Sequence, residues 1–505
     1  MSLINSIVNS FNAGRLKKIE RFKKNPGLVQ EKMWAGLIKR AKDTEWGKQY
    51  DFNSIRNIKD FQDRLPLQTY EDIKPYVDRI REGKDNILWP GSTRWFAKSS
   101  GTTGNKSKFI PVTREALIKC HYQGGRDVLA VYAKQNPKTR VFTGRTLTLG
   151  GSHQIDNVDN RSLYGDLSAI LIQNVPRWVN LLRTPPSDIA LLGDFEKKLE
   201  LITEISVRQH VVGFTGVPSW NMVLMKHILE RTGKQHIMEV WPDMELFIHG
   251  GVSFTPYREQ YEKLFPSDNM HYFETYNASE GFFALQDDPD DSGMLLMLDY
   301  HVFFEFIPLN ELGKESPEVL TIDQVETGKN YAIVISTNGG LWRYMIGDTV
   351  TFTSLYPHKI KISGRTRQYI NAFGEEIIVD NAEKALHEAC KTTGAIISEY
   401  TAGPVYMDQD NNGAHEWLIE FEKEPDDLSR FTQALDQALC SLNSDYEAKR
   451  NNNITLRMPI VRSMPKGSFY NWMRNTGKLG GQNKVPRLAN DRKYIEDILG
   501  TTVAK

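Results

Sequence analysis

Between residues 110 and 280, strand-like and helix-like segments take turns, and this alternation limits the fold more than any other feature of the chain. Strand, loop and helix in succession predict an α/β layered domain with much parallel sheet. A short apolar strand, Phe109-Ile110-Pro111-Val112, precedes Thr113, which can cap a helix running through Ala130. Leu192, Phe195, Leu199 and Ile202 follow helical spacing, with Ser187 as a candidate cap. HVVGFTGVPSW reads as a strand followed by a helix starting at Pro218. MELFIHGG and HYFETYNASEG each read as a strand running into a loop.

From 294 to 355 the pattern changes: MLLMLDYHVFFEFIP, NYAIVISTNGGLWRY and DTVTFTS read as antiparallel strands with little helix between them. After Gly364 it changes again. A helix over 379–391, strands at AIISEY, PVYM and EWLIEFEK, and a helix with Phe431, Leu435, Leu439 and Leu442 on one stripe predict a small α+β unit. A boundary therefore falls near 362–367. For 505 residues, two or three domains are expected. Lys plus Arg equals Asp plus Glu, 63 each, so nothing favours nucleic acid or an anionic membrane as a partner. Cys120, Cys390 and Cys440 are too far apart and too few for a disulfide framework or a metal site, which fits a reducing cytoplasm. The amphipathic start, with Leu3, Ile4, Ile7, Val8 and Phe11, reads as a packed first helix rather than a signal peptide. No run of about 18 apolar residues predicts a membrane-spanning helix.

Ligands of α/β sheets sit in loops at the carboxyl ends of strands. Several loops here carry suitable chemistry. KSSGTTGNKSKFIPVT combines the hydroxyls of Ser99, Ser100, Thr102 and Thr103 with Gly101, Gly104, Lys106 and Lys108, a composition suited to phosphate. It is not a Walker A loop, because Asn105 separates Gly104 from Lys106 and a strand follows. In IHGGVSF, Gly250 and Gly251 allow close approach to a flat ring, or simply a tight turn. In TYNASEG, Tyr276 can stack on a base, Ser279 can bind phosphate, and Glu280 can hold Mg²⁺, though a Ser-Glu pair also starts helices. In WRYMIGDTV, Asp348 after Gly347 suits ribose hydroxyls, and Gly-Asp equally suits a hairpin turn. SGRTRQYINAFGEEI lies at the composition change, and GGQNKVPRL places Lys484 between Gln482 and Arg487.

SSGTTGNKSK resembles the phosphate loop of the adenylate-forming superfamily, TYNASEG its Tyr-x-x-Thr/Ser-Glu element, and GRTRQYINAFGEEI its hinge. TYNASEG, WRYMIGD and MPKGSFYNWM…GGQNKVPRL are most similar to the auxin-responsive acyl-acid amido synthetases of plants and their bacterial relatives. The resemblance implies the adenylate-forming fold: a large N-terminal multi-sheet α/β domain with an antiparallel β subdomain (1–362), a hinge (363–367) and a small mobile α+β domain (368–505). It implies a ligase that uses ATP and Mg²⁺ to adenylate a carboxylic acid and passes the acyl group to an amine, usually an amino acid. Ser99, Ser100, Gly101, Thr102, Thr103, Lys106, Gly250, Gly251, Tyr276, Asn277, Ala278, Ser279, Asp348 and Arg365 would bind nucleotide. Glu280 would hold the metal and Lys484 would serve adenylation, with Lys466 and Lys478 as rivals. A CoA ligase and a non-catalytic ATP-binding protein are the alternatives. Asn105 and Ser107 replace the commoner Gly and Pro of the loop, Asn483 stands where plant members often carry Tyr, and the acyl-pocket residues have no match.

Overall fold

The computed structural model describes residues 3–99, 108–150, 153–154, 162–251, 254–365, 369–370, 372, 375, 377–406, 413–443, 446–447, 450, 456–479, 484–489 and 491–503. The chain forms two compact units. One comprises 1–254, 260–346 and 350–361; the other comprises 255–259, 347–349 and 362–505.

The strands up to the second unit are β1 (Trp95–Ser99), β2 (Lys108–Val112), β3 (Arg145–Thr148), β4 (His153–Gln154), β5 (Leu163–Gly165), β6 (Arg183–Thr184), β7 (Val211–Gly216) and β8 (Leu246–Gly250). They continue with β9 (His271–Ala278), β10 (Gly281–Leu285), β11 (Met294–Leu296), β12 (Val302–Pro308), β13 (Asn330–Thr337), β14 (Tyr344–Leu355) and β15 (His358–Arg365). Four of them make a small sheet, β2-β1-β5-β4. Eleven make one large sheet in the order β12-β13-β14-β15-β11-β10-β9-β8-β7-β3-β6. The segment β6-β3-β7-β8-β9 is parallel throughout. From β9 onward, β10, β11 and β15 pair antiparallel, as do β12 and β13. The antiparallel strands read from 294 to 355 thus continue the parallel sheet. Their aromatic and β-branched side chains, including Phe303, Phe304, Phe306, Ile335 and Trp342, are almost wholly buried. Each contributes about 2 kcal/mol of burial.

The first helix, Leu3–Lys24, is packed: Ile19 and Phe22 are buried, and Arg15 Nε donates to Asp127 Oδ2 at 2.7 Å. No helix among the described residues is long and apolar enough to cross a membrane. Helix Tyr70–Arg81 shows how sequence sets an end and a face. Thr69 and Asp72 form a capping box, and Tyr70, Ile73, Val77 and Ile80 are its buried positions.

Three local expectations need correction. Thr113 does cap the next helix, accepting from Ala116 N at 3.0 Å, but the helical path runs to Gln135 rather than Ala130. It also widens into a π turn at Leu117–His121. Ser187 does not cap the helix carrying Leu199 and Ile202. That helix is Phe195–Ser206 and Asp194 caps it, its Oδ1 accepting from Lys197 N at 3.1 Å; Ser187 opens a separate short helix, Ser187–Ala190. The strands expected at AIISEY and PVYM are one strand in the second unit.

That second unit adds β16 (Tyr369–Ile370), β17 (Ile377–Ile378), β18 (Ile396–Val405), β19 (Ala414–Lys423) and β20 (Ile460–Met464), with sheet order β18-β19-β20. Pro404 lies inside β18, which an edge strand tolerates. Helices Val379–Thr393 and Leu428–Leu442 pack together and close a core around Trp417, Ile419, Phe421, Leu386, Phe431 and Leu435. Asp427 caps the second of them, accepting from Ser429 N at 2.8 Å.

Candidate functional site

In the first unit, the carboxyl ends of the parallel strands gather several predicted residues along one sheet end, where α/β proteins bind ligands. Gly250 pairs with Thr275, so β9 runs three residues beyond the end of β8. Tyr276, Asn277 and Ala278 form this overhang and pair only with β10: Tyr276 with Ala284, Asn277 with Phe282, Ala278 with Gly281. Ser279 and Glu280 are the two turn residues between β9 and β10. Ser279 is buried and Glu280 half-buried. TYNASEG is therefore a hairpin tip, neither an open loop nor the start of a helix.

The glycines beside it have structural reasons. A Cβ on Gly250 would stand 2.3 Å from Thr275 O, so close packing of β8 on β9 already demands glycine there. Gly251 has φ +83°, a left-handed angle that favours glycine. Tyr276 is only 5% exposed and meets Phe283 edge-on, ring centroids 5.0 Å apart. Core packing thus accounts for this ring.

Two residues outside the predicted set hold the hairpin. His121 Nδ1 lies 3.0 Å from Asn277 Oδ1, and Phe282 N donates to Cys120 Sγ at 3.2 Å. Burial pushes the His121 imidazole down to about 4, against the opposing pull of Asn277, so it is neutral near pH 7. Burial pushes the Cys120 thiol up to about 12, which makes it an inert packing group. Nothing in the local sequence marks these two residues, since the contacts span more than 150 positions.

The phosphate-loop candidates fare differently. Ser99 ends β1 opposite Lys108 of β2, and Phe109 N donates to Tyr70 Oη at 2.8 Å. Ser100, Gly101, Thr102, Thr103 and Lys106 lie outside the described residues.

WRYMIGD is braced at its start. Arg343, with φ +43° and nearly no exposure, pairs through Nε with both oxygens of the fully buried Glu305, at 3.2 and 3.1 Å. Its Nη1 donates to Gln62 O and Leu65 O at 2.8 and 2.5 Å. Gln68 N donates to Arg343 O and Met345 N to Gln68 O, both at 2.9 Å.

In the second unit, Asp348 is buried at 5% exposure and lies within β14, four residues past its start. It is neither at a strand end nor in a hairpin turn. Gly347, with φ +90°, breaks the pleat just before it. Arg365 ends β15, and its side chain lies outside what is described. Further along the same motif, Glu375 is fully buried, accepts from Ala372 N at 3.2 Å and meets His415 Nε2 at 2.8 Å.

Lys484 is exposed, and the residues after it are anchored to β18. Thr401 Oγ1 donates to Pro486 O at 2.6 Å, and Ala402 N to Arg487 O at 2.9 Å. Arg487 stacks over Tyr400 at 4.7 Å and pairs with Glu399. Of the rivals, Lys466 is exposed before helix Ser468–Asn475, while Lys478 sits 5.4 Å over the Trp472 ring. That contact gives Lys478 a structural task.

A cavity of about 580 Å³ in the first unit is lined by residues including Ile172, Asn180, Ser187 and Leu192. None of the predicted site residues lines it. Among the described residues no group of three or more His, Cys, Asp or Glu could hold a metal.

The fold and the placement of these motifs define an adenylate-forming α/β enzyme architecture. The chain superposes on GH3.15 acyl acid amido synthetase with TM-score 0.79 at 17% identity, covering 96% of this chain and 95% of that one. It superposes on a 2-hydroxyisobutyryl-CoA ligase with TM-score 0.57 at 11% identity, covering 97% and 91%. Within this class the chain belongs to the GH3 family: the N-terminal domain model matches residues 15–270, the central domain 295–365 and the C-terminal domain 380–493. Relatives include the indole-3-acetic acid-amido synthetase GH3.4 of Arabidopsis thaliana, 23% identical over 94% of this chain and 91% of the relative. Another, from the same plant, is the 4-substituted benzoates-glutamate ligase GH3.12, 20% identical over 97% of each.

Proposed function

We propose that this protein is an acyl-acid amido synthetase, which joins a small carboxylic acid to an amine, an amino acid, at the expense of ATP, and works in the cytoplasm. In the first half-reaction a carboxylate oxygen attacks the α-phosphorus of ATP, the bond to pyrophosphate breaks, and an acyl-adenylate forms. In the second an amine nitrogen attacks the acyl carbonyl, AMP leaves, and the nitrogen loses a proton. The observation that carries this reading is the Ser279–Glu280 turn at the tip of the β9–β10 hairpin, just past the end of the parallel sheet. The named activities of the amido synthetase and benzoate–glutamate ligase relatives support it.

Catalysis of phosphoryl-side chemistry is mostly positioning and charge neutralisation. Ser99, Ser100, Gly101, Thr102, Thr103 and Lys106 hold the β- and γ-phosphates. Gly250, Gly251, Tyr276, Asn277 and Ala278 flank the adenine. Asp348 accepts from the ribose hydroxyls, with Arg365 beside the nucleotide. Glu280 would hold Mg²⁺. Mg²⁺ takes one or two carboxylates plus phosphate oxygens and water. Bound there, Mg²⁺ supplies neutralisation of phosphate charge. Lys484 stabilises the charge developing on the α-phosphate. Residues 1–362 form the large domain and 368–505 the small one, and rotation about 363–367 removes Lys484 for the second half-reaction.

The testing experiment is pyrophosphate release over a panel of carboxylic acids, each with and without amino acids, with product mass measured. Amide and AMP as products support the reading. A thioester formed only with CoA would favour a CoA ligase, and no pyrophosphate with any acid would favour a non-catalytic ATP-binding protein.

A further inference from the structure

We propose that Cys120 and His121 are positioning residues for the Ser279–Glu280 turn: neighbours on one wide helical turn, they grip both strands of the β9–β10 hairpin at the residue pair just behind its tip. This rests on the metal and phosphate roles given above to Glu280 and Ser279.

The geometry is specific. The helical path from Arg114 to Gln135 opens into a π turn at Leu117–His121, a feature that recurs at functional sites. His121 Nδ1 meets Asn277 Oδ1 on β9 at 3.0 Å. The amide oxygen only accepts, so Nδ1 carries the proton. Cys120 Sγ accepts from Phe282 N on β10 at 3.2 Å, and its S–H donates to Phe282 O at 3.6 Å. Asn277 and Phe282 are register partners, and the next pair, Ala278 and Gly281, closes the turn. One helical turn therefore holds the two sides of a single cross-strand pair.

The hairpin needs such a hold. Its register shifts between Phe282 and Ala284, and an irregular ladder leaves backbone groups that the partner strand does not satisfy. Helix and hairpin also approach as closely as the backbone permits. A Cβ on Gly124 would fall 2.4 Å from the Phe282 ring, and one on Gly281 would fall 3.4 Å from Cys120 Sγ and 2.9 Å from Phe283. Cys120 and His121 are 1% and 4% exposed, so neither reaches substrate. Their effect passes through Asn277 and Phe282 to the carboxylate two or three residues away, where a displacement of about 1 Å costs about 10²-fold.

The test is calorimetric affinity for ATP with Mg²⁺ and with chelator, on the full chain. In the parent, Mg²⁺ should raise affinity. His121→Leu should cut that gain about tenfold, and Cys120→Ala, which removes less volume, about threefold, with a smaller loss of chelated affinity because Asn277 and Ser279 also face the nucleotide. His121→Asn, whose amide nitrogen stands where Nδ1 does, should restore the gain. Glu280→Gln should abolish the gain, and adding His121→Leu to it should change nothing further. If Glu280→Gln loses the gain while Cys120→Ala and His121→Leu keep it, the positioning role is wrong and the metal role stands. If Glu280→Gln keeps the gain, both fall. Equal losses with and without Mg²⁺ in the two positioning variants would reduce them to fold maintenance and overturn the proposal. Should His121→Leu not fold, Cys120→Ala and His121→Asn still decide it.

Discussion

Glu280, Asp348 and Arg343 differ in what their positions ask of them. Glu280 stands half-buried at a hairpin tip, so its carboxylate can lose charge without emptying a core. Glu280→Gln should lower adenylation by at least about 10²-fold while the melting temperature stays put. Near-parent pyrophosphate release from the folded variant would remove Glu280 from the site. Asp348 is almost fully buried, and its two carboxylate oxygens suit the two ribose hydroxyls. Asp348→Ala should weaken ATP binding by about tenfold. Equal calorimetric affinity in variant and parent would reject that role. Arg343 holds a buried carboxylate and two carbonyls from a left-handed backbone angle. Removing one member of such a pair strands the other, so Arg343→Met should cost about 3–5 kcal/mol of stability in denaturant titration. At this scale the residue types were legible in sequence, but their surroundings were not. Asp348 read as a strand end or a hairpin turn, whereas a longer strand passes through the left-handed Gly347.

The elements explain which turns can be trusted to hold a shape. The β9–β10 hairpin is pinned from behind by a neutral histidine, and that has a pH signature. His121 carries a proton far less readily folded, at about 4, than at its ordinary 6.5. A depressed histidine contributes stability above the unfolded value, and that contribution is lost as pH falls through the folded one. The parent should therefore lose up to about 3 kcal/mol between pH 7 and pH 4 from this group alone. His121→Gln should flatten that part of the stability profile; an unchanged slope would show that His121 is not buried neutral. The linker carries the other element-scale prediction. Thr366→Pro or Arg367→Pro fixes φ between β15 and β16. If 363–367 is a hinge, one half-reaction should slow much more than the other. Equal loss of both, or of neither, would count against it. Element types were readable from period and caps, while their limits were not. Asp194 out-competed Ser187 as a cap, and β18 absorbed a Gly-Pro that reads as a break.

For the molecule as a whole, the question is whether two compact units share one reaction. Lys484 is exposed on a segment whose following residues are tied to β18. Lys484→Ala should abolish adenylation yet spare the reaction of supplied acyl-adenylate with an amino acid. Lys466→Ala should do neither. Normal adenylation by Lys484→Ala, or a block of the second step alone, would reject the assignment. Lys478 serves as an internal contrast, because its ammonium already lies over Trp472.

Local order was enough to reveal the alternating α/β part, the switch to antiparallel strands, the small α+β unit and the motifs that resemble the family's, because periodicity, caps and short loops are written in neighbouring residues. What joins distant positions needed the folded chain. Only there does β9 overrun β8 by three residues, do the antiparallel strands extend the parallel sheet, and do Cys120 and His121 meet Phe282 and Asn277. Burial, register and close packing depend on which surfaces are pressed together, and that is a property of the tertiary structure.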